Sequence, residues 1–238
     1  MTRTPPRGEP DSSVIQSSKG FQLEWREAVG LRLCNWPGRS QTVKRDHQTF
    51  FLDGAHTEQS MWACRSWFDH LLSKSGDEKI KRFLIFNSTG DRKAEVLLAP
   101  LISLPFDKAI FCTNETRSED LASDNTNLNF SFEYAVRKVE TNKAAWDQMQ
   151  KLLIQPKGVK CVSSQAVPHI EDALKLVDDL CQDGEKIEIF VTGSLHLVGG
   201  VLSFIQPDCY EKSAEEIKQE MQIVDKYSKM SNGSPPSR

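Results

Sequence analysis

The sequence lacks the motifs that mark several large enzyme classes. Its 238 residues contain no Gly-Lys-[Ser/Thr], so no phosphate-binding loop is present, and no Gly-x-Ser-x-Gly elbow of an α/β-hydrolase. No Gly-x-Gly-x-x-Gly follows a predicted strand, which argues against an ordinary dinucleotide-binding domain. No His-Glu-x-x-His pattern or helically spaced carboxylate pair suggests a metal hydrolase. We therefore expect the chain to contribute part of a site rather than a whole one.

Long apolar runs, an excess of one charge and paired cysteines are also missing. No apolar run reaches the ~18 residues that a membrane-spanning helix needs, so no span is predicted. The 30 basic and 33 acidic residues give a net charge of −3, which argues against a nucleic-acid binder. None of the six cysteines forms a Cys-x-x-Cys pair, so we predict no metal site and expect reduced thiols within the core.

Composition divides the chain into a body and two ends. Residues 1–20 are rich in proline, serine, glycine and charge, and are predicted to be disordered. Residues 21–206 carry the apolar patterns of one domain. Residues 207–238 are predicted to hold an amphipathic helix over Ala214–Tyr227 and then a disordered tail.

Short apolar runs alternate with helical patterns through the body. One strand is predicted to end at Leu52, and others to cover Phe83–Phe86, Ala109–Cys112, Val159–Val162 and Ile187–Val191. Helices are predicted over Thr57–Leu72, Lys93–Leu101, Asn142–Leu153, Ile170–Leu180 and Leu195–Ile205, with a surface loop over Asn114–Asn129. This alternation predicts an α/β fold, with a mostly parallel sheet flanked by helices.

Three of the predicted strand ends carry glycine beside hydroxyl or charged residues. They are Leu52–Thr57, Asn87–Arg92 and Val191–His196. In open α/β sheets, ligands bind beyond the carboxyl ends of the strands. Glycine allows the backbone to approach a ligand, and the amides at the start of the following helix attract anions. The sequence therefore predicts a ligand site at these three segments.

Several side chains in these segments have two interpretations. Asp53 either accepts hydrogen bonds from ribose hydroxyls or holds a turn or helix cap. His56 either binds a carboxylate or phosphate, or transfers a proton, or merely satisfies its turn. Ser194 either caps a helix or donates to a ligand carboxylate. Arg92 either faces an anion or lies in a solvated turn, and Arg39 is by itself most simply a surface arginine.

Four segments together resemble eukaryotic folylpolyglutamate synthase. They are Trp36–Arg39, Phe51–Thr57, Phe86–Arg92 and Val191–Gly200, and their order and spacing make the match specific. The resemblance covers roughly residues 21–206 and corresponds to the C-terminal domain of that family. It implies the Rossmann-like fold of Mur-ligase C-terminal domains.

Members of that family use ATP and Mg²⁺ to join L-glutamate to the γ-carboxylate of tetrahydrofolate through an acyl phosphate. By resemblance, Arg39 and Asp53 fall on positions that contact ATP. His56 and Ser194 fall on positions that bind the incoming glutamate. The resemblance also implies supporting roles for Gly54, Thr89, Asp91, Arg92 and Gly193.

The resemblance also implies what is missing. In that family an N-terminal ATPase domain carries the phosphate loop, the magnesium ligands and most of the folate pocket. We therefore expect this chain to be the C-terminal half only, to require that domain in cis, and to be inactive alone. Dihydrofolate synthase activity, or a non-catalytic truncated isoform or binding module, are the alternatives. The family implies a cytoplasmic or mitochondrial location, or both.

Overall fold

The computed structural model describes residues 24–34, 36–73, 80–117, 131–158, 160–182, 184–208 and 214–232. The chain forms two compact units: a terminal unit of Met1–Asn35 with Lys212–Arg238, and a main unit of Trp36–Glu211. The disorder predicted for residues 1–20 and 233–238 lies outside the described residues, as does residue 118 onward of the predicted loop Asn114–Asn129.

Seven helices and six strands make up the described part of the chain. The helices are α1 (Trp25–Leu33), α2 (Glu58–Leu72), α3 (Ala94–Leu98), α4 (Phe132–Met149), α5 (Ile170–Asp179), α6 (Leu195–Ile205) and α7 (Ala214–Asn232). The strands are β1 (Gln41–Arg45), β2 (Gln48–Asp53), β3 (Lys81–Phe86), β4 (Lys108–Phe111), β5 (Ser163–Ala166) and β6 (Ile187–Thr192). A π-helical turn, Gln150–Ile154, and a 3₁₀ turn, Gln155–Lys157, follow α4.

The main unit confirms the predicted α/β fold. Its six strands lie in the order β1-β2-β6-β3-β4-β5, and every neighbouring pair is parallel except β1 with β2. The antiparallel β1 was not predicted. Its sequence, Gln-Thr-Val-Lys-Arg, is polar because an edge strand needs little apolar surface, so it lacks the run that marks the inner strands.

Alternating side chains of the strands build two cores, one on each face of the sheet. Phe51 packs against Phe68 of α2 on one face, with ring centroids 5.3 Å apart, and α3 and α4 extend this aromatic-rich core. Leu52 faces the opposite core, which α5 and α6 cover. Strand β6 is buried along its whole length because helices cover both of its faces.

The terminal unit contains α1 and α7, which contact each other. Helix α1 was not predicted. Helix α7 begins at Ala214 as predicted but runs to Asn232, beyond the predicted end at Tyr227, so residues 228–232 are helical rather than part of a tail.

The fourth predicted strand was misplaced. Strand β5 is Ser163–Ala166, not Val159–Val162. The backbone of Val162 is bound by side chains of the preceding helical segment: its N–H donates to Gln150 Oε1 at 3.0 Å, and its carbonyl accepts from Trp146 Nε1 at 3.4 Å. Cys161 and Val162 therefore belong to a connection bonded to the helical segment, and the polar residues after them pair with β4.

Two predicted helices have different lengths in the structure. Helix α3 ends at Leu98 rather than Leu101, because Pro100 has no N–H with which to continue the helical hydrogen bonds. Helix α4 begins at Phe132 rather than Asn142, and the Ser131 hydroxyl caps it by accepting from Tyr134 N at 3.3 Å.

Candidate functional site

The three predicted glycine-bearing segments leave the sheet side by side. In the strand register, Asp53 of β2 pairs with Thr192 of β6, and Thr192 pairs with Phe86 of β3. The three strands are direct neighbours and run parallel, so their carboxyl ends form one row. The segments that follow them, predicted from sequence to share a site, therefore start from adjacent points.

A tight turn at Trp36–Ser40 lies against the end of β2. The N–H of Gly54 donates to the carbonyl of Gly38 at 2.9 Å, and the N–H of Arg39 donates to the carbonyl of Trp36 at 3.1 Å. Gly38 has a φ of +75°, and a Cβ there would lie 2.8 Å from Val198 Cγ1 on α6. The turn thus brings Arg39, which is half-buried, to the same end of the sheet.

Asp53 holds this turn. Its side chain is only 9% exposed, and Oδ2 accepts from both the backbone N–H of Ser40 at 2.8 Å and the Ser40 hydroxyl at 3.2 Å. Of the interpretations open from sequence, the turn contact is the one formed within this chain. The carboxylate is therefore fixed in position beside Arg39.

Two buried residues with polar side-chain groups, Cys64 and Thr192, lie near Asp53. The Cys64 thiol of α2 is 3.7 Å from Thr192 Oγ1, and both residues are buried. Burial, and then the negative charge of Asp53, raise the pKa of the Cys64 thiol far above its usual range. The thiol is therefore neutral at physiological pH and unsuited to nucleophilic attack.

His56 follows the end of β2 and has one ring nitrogen engaged. Its Nδ1 lies 2.8 Å from the carbonyl oxygen of Gly54, which can only accept, so Nδ1 carries the proton. Its Nε2 contacts no polar group of the described residues. The next residue, Thr57, caps α2 by accepting from Ser60 N at 3.2 Å. The ring is oriented, with Nε2 available to a ligand.

Ser194 begins α6 and is 3% exposed. Its hydroxyl accepts from Leu197 N at 3.5 Å, so the helix-cap role is formed while the hydroxyl hydrogen stays available to donate. Before it, Gly193 has a φ of +100°, and a Cβ there would overlap the backbone oxygen of Asn87. A Cβ on Gly54 would likewise overlap Leu195. Glycine is therefore required where these segments approach one another.

In the segment that follows β3, the Arg92 side chain bonds to a residue of the same segment. Arg92 Nη1 donates to the Thr89 carbonyl at 2.8 Å and to the Thr89 hydroxyl at 3.1 Å. Gly90 makes the turn with a φ of +67°, and Asp91 is exposed. Lys138 of α4 donates to the Arg92 carbonyl at 2.8 Å. The guanidinium of Arg92 closes its own loop, which favours the turn interpretation over direct anion binding.

A buried amide network below this loop was missed from sequence. Asn142 of α4 accepts from the Ser88 hydroxyl at 2.9 Å and donates to Asn87 Oδ1 at 3.4 Å. Asn87 in turn donates to Asn114 Oδ1, beyond β4, at 2.9 Å. The network ties the ends of β3 and β4 to α4. Asn142 lies within a polar helical stretch, so no local pattern marks it as buried.

The part of the chain that the structure describes shows no group of three or more His, Cys, Asp or Glu side chains that could hold a metal ion. Within that part, no helix is both long enough and apolar enough to cross a membrane.

An open, mostly parallel sheet with helices on both faces places the main unit in the Rossmann-like class of α/β domains. A sequence model described as the C-terminal domain of dihydrofolate synthetase matches residues 38–204. The chain belongs to this family.

The chain matches part of the length of its curated relatives. It is 34% identical over 196 residues to a putative folylpolyglutamate synthase of Caenorhabditis elegans, covering 82% of this chain and 38% of that protein. It is 32% identical to the mitochondrial folylpolyglutamate synthase of Bos taurus, covering 79% of this chain and 41% of that protein. The chain thus spans about two fifths of the length of these relatives.

Solved structures with similar folds come from bacteria. A bifunctional folylpolyglutamate synthase/dihydrofolate synthase of Yersinia pestis, complexed with AMPPNP and Mn, matches 74% of this chain and 32% of its own, with 18% identity and a TM-score of 0.46. A folylpolyglutamate synthase of Thermotoga maritima matches 79% of this chain and 34% of its own, with 19% identity and a TM-score of 0.46.

Proposed function

We propose that this chain supplies the C-terminal-domain side of a folylpolyglutamate synthase active site. The reaction is ATP-dependent transfer of L-glutamate to the γ-carboxylate of tetrahydrofolate. The carboxylate oxygen attacks the γ-phosphorus of ATP, which gives an acyl phosphate and releases ADP. The glutamate amine then attacks the acyl carbon, loses a proton, and expels phosphate. Family membership and the curated relatives support this assignment.

The observation that carries the proposal is the row formed by Asp53, Thr192 and Phe86. Phosphoryl transfer depends on positioning reactants and stabilising charge. The row places an arginine turn, an oriented histidine and a helix-start hydroxyl at one end of the sheet. Such an end can present two anionic substrates to a second domain.

Arg39 and Asp53 are proposed to contact ATP. The Arg39 guanidinium forms no ion pair or hydrogen bond with any described residue, so it has donors free for phosphate oxygens. Asp53 accepts two hydrogen bonds from Ser40 through one oxygen. A carboxylate oxygen has further acceptor capacity for a ribose hydroxyl.

His56 and Ser194 are proposed to bind the incoming glutamate. His56 Nε2 and the Ser194 hydroxyl are the groups that the local hydrogen bonds leave available. A hydroxyl that donates suits a carboxylate, and so does the protonated ring, in which Nε2 also becomes a donor. Gly54, Thr89, Asp91, Arg92 and Gly193 are proposed to shape the site rather than to contact the reacting atoms.

Magnesium does not fit the part of the chain that the structure describes. Mg²⁺ prefers several oxygen ligands, usually carboxylates and phosphates with water. The described residues form no group of three or more His, Cys, Asp or Glu side chains that could hold a metal ion. We therefore assign metal ligation to an N-terminal ATPase domain in cis, which is also proposed to supply the phosphate-binding loop and most of the tetrahydrofolate pocket.

Dihydrofolate synthase activity is the second candidate, because the matching family model carries that description. The same half-site serves either reaction, since both join glutamate to a carboxylate through an acyl phosphate. A cytoplasmic or mitochondrial location, or both, is proposed, in line with the mitochondrial relative of Bos taurus.

The test is ATP-dependent incorporation of labelled L-glutamate into tetrahydrofolate. The chain alone is expected to incorporate none, and a fusion that places the N-terminal ATPase domain of a relative before this chain is expected to incorporate glutamate. An Asp53→Asn variant, which retains an acceptor oxygen for Ser40, is expected to lose activity in the fusion. Incorporation by the chain alone would contradict the half-site proposal, and so would full activity of the Asn variant. Dihydropteroate replaces tetrahydrofolate to test the second candidate.

A further inference from the structure

We infer that Gln41 is a positioning residue for Arg39: its side-chain amide holds the turn that carries the arginine. This inference rests on the proposed function for its consequence in ATP binding. The claim that the Gln41 amide holds the turn depends only on the contacts in this structure.

Gln41 is the first residue of β1, opposite Leu52 in the register. Its Oε1 accepts from the backbone N–H of Gly38 at 2.8 Å, across the turn from Arg39. Its Nε2 donates to Gln206 Oε1, just after α6, at 3.3 Å. Since one end of the amide only accepts and the other only donates, Gln206 fixes the orientation that Gly38 requires.

The turn needs such support because its backbone is unfavourable. Gly38 has a φ of +75° and Ser40 a φ of +42°, and the second value lies in the left-handed region that side-chain-bearing residues rarely occupy. Such conformations persist only where surrounding contacts determine them. Here Gln41 Oε1 accepts from the Gly38 N–H, and Asp53 Oδ2 accepts from the Ser40 N–H. The Gly54 N–H donates to the Gly38 carbonyl.

Arg39 lies between the two left-handed residues and depends on them for its position. Its guanidinium forms no bond to the described residues that would hold it independently. Loss of the Gln41 amide leaves the Gly38 N–H without its acceptor, and the turn relaxes. The arginine then loses its fixed direction before ATP arrives, so ordering it lowers the affinity.

The geometric part is tested by amide hydrogen exchange in Gln41→Leu. The Ser40 and Gly54 amides, neither bonded to Gln41, are expected to exchange about tenfold faster if the turn is one cooperative unit. Amides of β6 report whether the fold is intact. Gln41→Glu retains an acceptor for Gly38 and is expected to restore slow exchange. Unchanged exchange at Ser40 and Gly54 would overturn the inference.

Gln48→Leu is the matched control. Gln48 lies on the same hairpin at the far end of β2, where its amide donates to Asp178 Oδ1 at 2.6 Å. The Gln48→Leu substitution also removes one hydrogen bond of a glutamine side chain, but at a site distant from the turn. Exchange at Ser40 and Gly54 is expected to stay at the wild-type rate in this variant.

The functional part is tested by titrating the full chain with ATP and, separately, with L-glutamate. Gln41→Leu is expected to weaken ATP binding about fivefold and leave glutamate binding unchanged. The double variant with Arg39→Ala is expected to bind ATP no more weakly than Arg39→Ala alone. Additive losses would show that Gln41 does not act through Arg39 and would overturn that step. A wild-type chain that binds no ATP would count against the proposed function, while the exchange data still decide the role of Gln41.

Discussion

The two ends of the sheet are held together by different chemistry. At the carboxyl ends of β3 and β4, neutral groups bond to one another: the Asn142 amide binds Ser88 and Asn87, and glycines allow the segments to pack closely. At the amino end, Arg82 Nε lies 2.7 Å from Glu188 Oε2, and Lys81 Nζ lies 2.7 Å from Glu185 Oε2.

The difference shows where this fold requires fixed geometry. Partly exposed ion pairs contribute little and weaken with salt, while buried neutral networks are costly to disturb and specify one arrangement. The carboxyl end, where the proposed substrates bind, has the second kind of contact. Three pairs of substitutions and one labelling experiment test the contrast, from the largest expected effect to the smallest.

Gly193→Ala is expected to destabilise the main unit by about 3 kcal/mol. The new Cβ meets a backbone oxygen of Asn87, which cannot move without shifting β3, and the φ of +100° is unfavourable as well. Gly90→Ala is the control, because its φ of +67° is similarly left-handed but no atom lies within 4 Å of the added Cβ. It should cost about 1 kcal/mol in urea denaturation. Equal losses would contradict the close packing at Gly193.

Asn142→Leu is expected to cost about 2 kcal/mol, because Ser88 and Asn87 keep buried polar groups without partners. The loss should not vary with salt. The neighbouring change Thr141→Ala removes only an exposed hydroxyl bond to the Arg137 carbonyl. It should alter the free energy of unfolding by no more than about 0.5 kcal/mol. A loss from Asn142→Leu as small as that would show that the network does not anchor the loop.

Arg82→Met is expected to cost about 1 kcal/mol at low salt and less at high salt, since the pair with Glu188 is partly screened. Arg137→Met removes a fully solvated pair with Glu133 and should cost almost nothing. Free energies of unfolding should be measured at two ionic strengths. The loss at the amino end should change with salt, and the loss at the carboxyl end should not. A loss of stability in Arg82→Met that does not change with salt would contradict the proposed difference between the two ends of the sheet.

The thiols at the two ends should differ in reactivity. Burial raises the pKa of Cys64, beneath the carboxyl end, and also that of Cys181, but Cys181 is partly exposed. Iodoacetamide at pH 8.5 should label Cys181 and spare Cys64 until urea is added. Because the folded thiol keeps a proton that the unfolded thiol releases above about pH 8.5, stability should fall as pH rises past that value. Labelling of Cys64 at the rate of Cys181 would contradict its burial.

The buried strands and the three strand ends could be predicted from sequence because each leaves a local mark. Phe83–Phe86 and Ile187–Val191 are apolar runs, and glycine beside a hydroxyl or a charge follows them. A parallel sheet places their carboxyl ends at one edge, but the strand order β2-β6-β3, which makes them neighbours, is known only from the structure. What the pattern could not settle is which interpretation of Asp53 the fold forms, since the contact with Ser40 joins residues 13 positions apart.

The features that were not predicted have no apolar run or periodic pattern in the sequence. Strands β1 and β5 are polar edges, and the true position of β5 follows from side chains of α4 and its continuation that bind Val162. Gln41 acts through a bond to Gln206, at the other end of the main unit in sequence. The prediction of core thiols holds for Cys64 and Cys112, while Cys34 is exposed, because a lone cysteine does not reveal its burial.

The most direct test of the account is backbone NMR of the full chain titrated with ATP and then with L-glutamate. Shifts are expected to be centred on residues 38–40 and 53 for ATP, and on residues 56 and 193–195 for glutamate. A competing location is a cavity of about 350 Å³ at the amino end, lined by Arg45, His47, Asp178 and Gln182 among others. Shifts centred there, or shifts at neither end, would contradict the claim that the carboxyl end is the functional half-site.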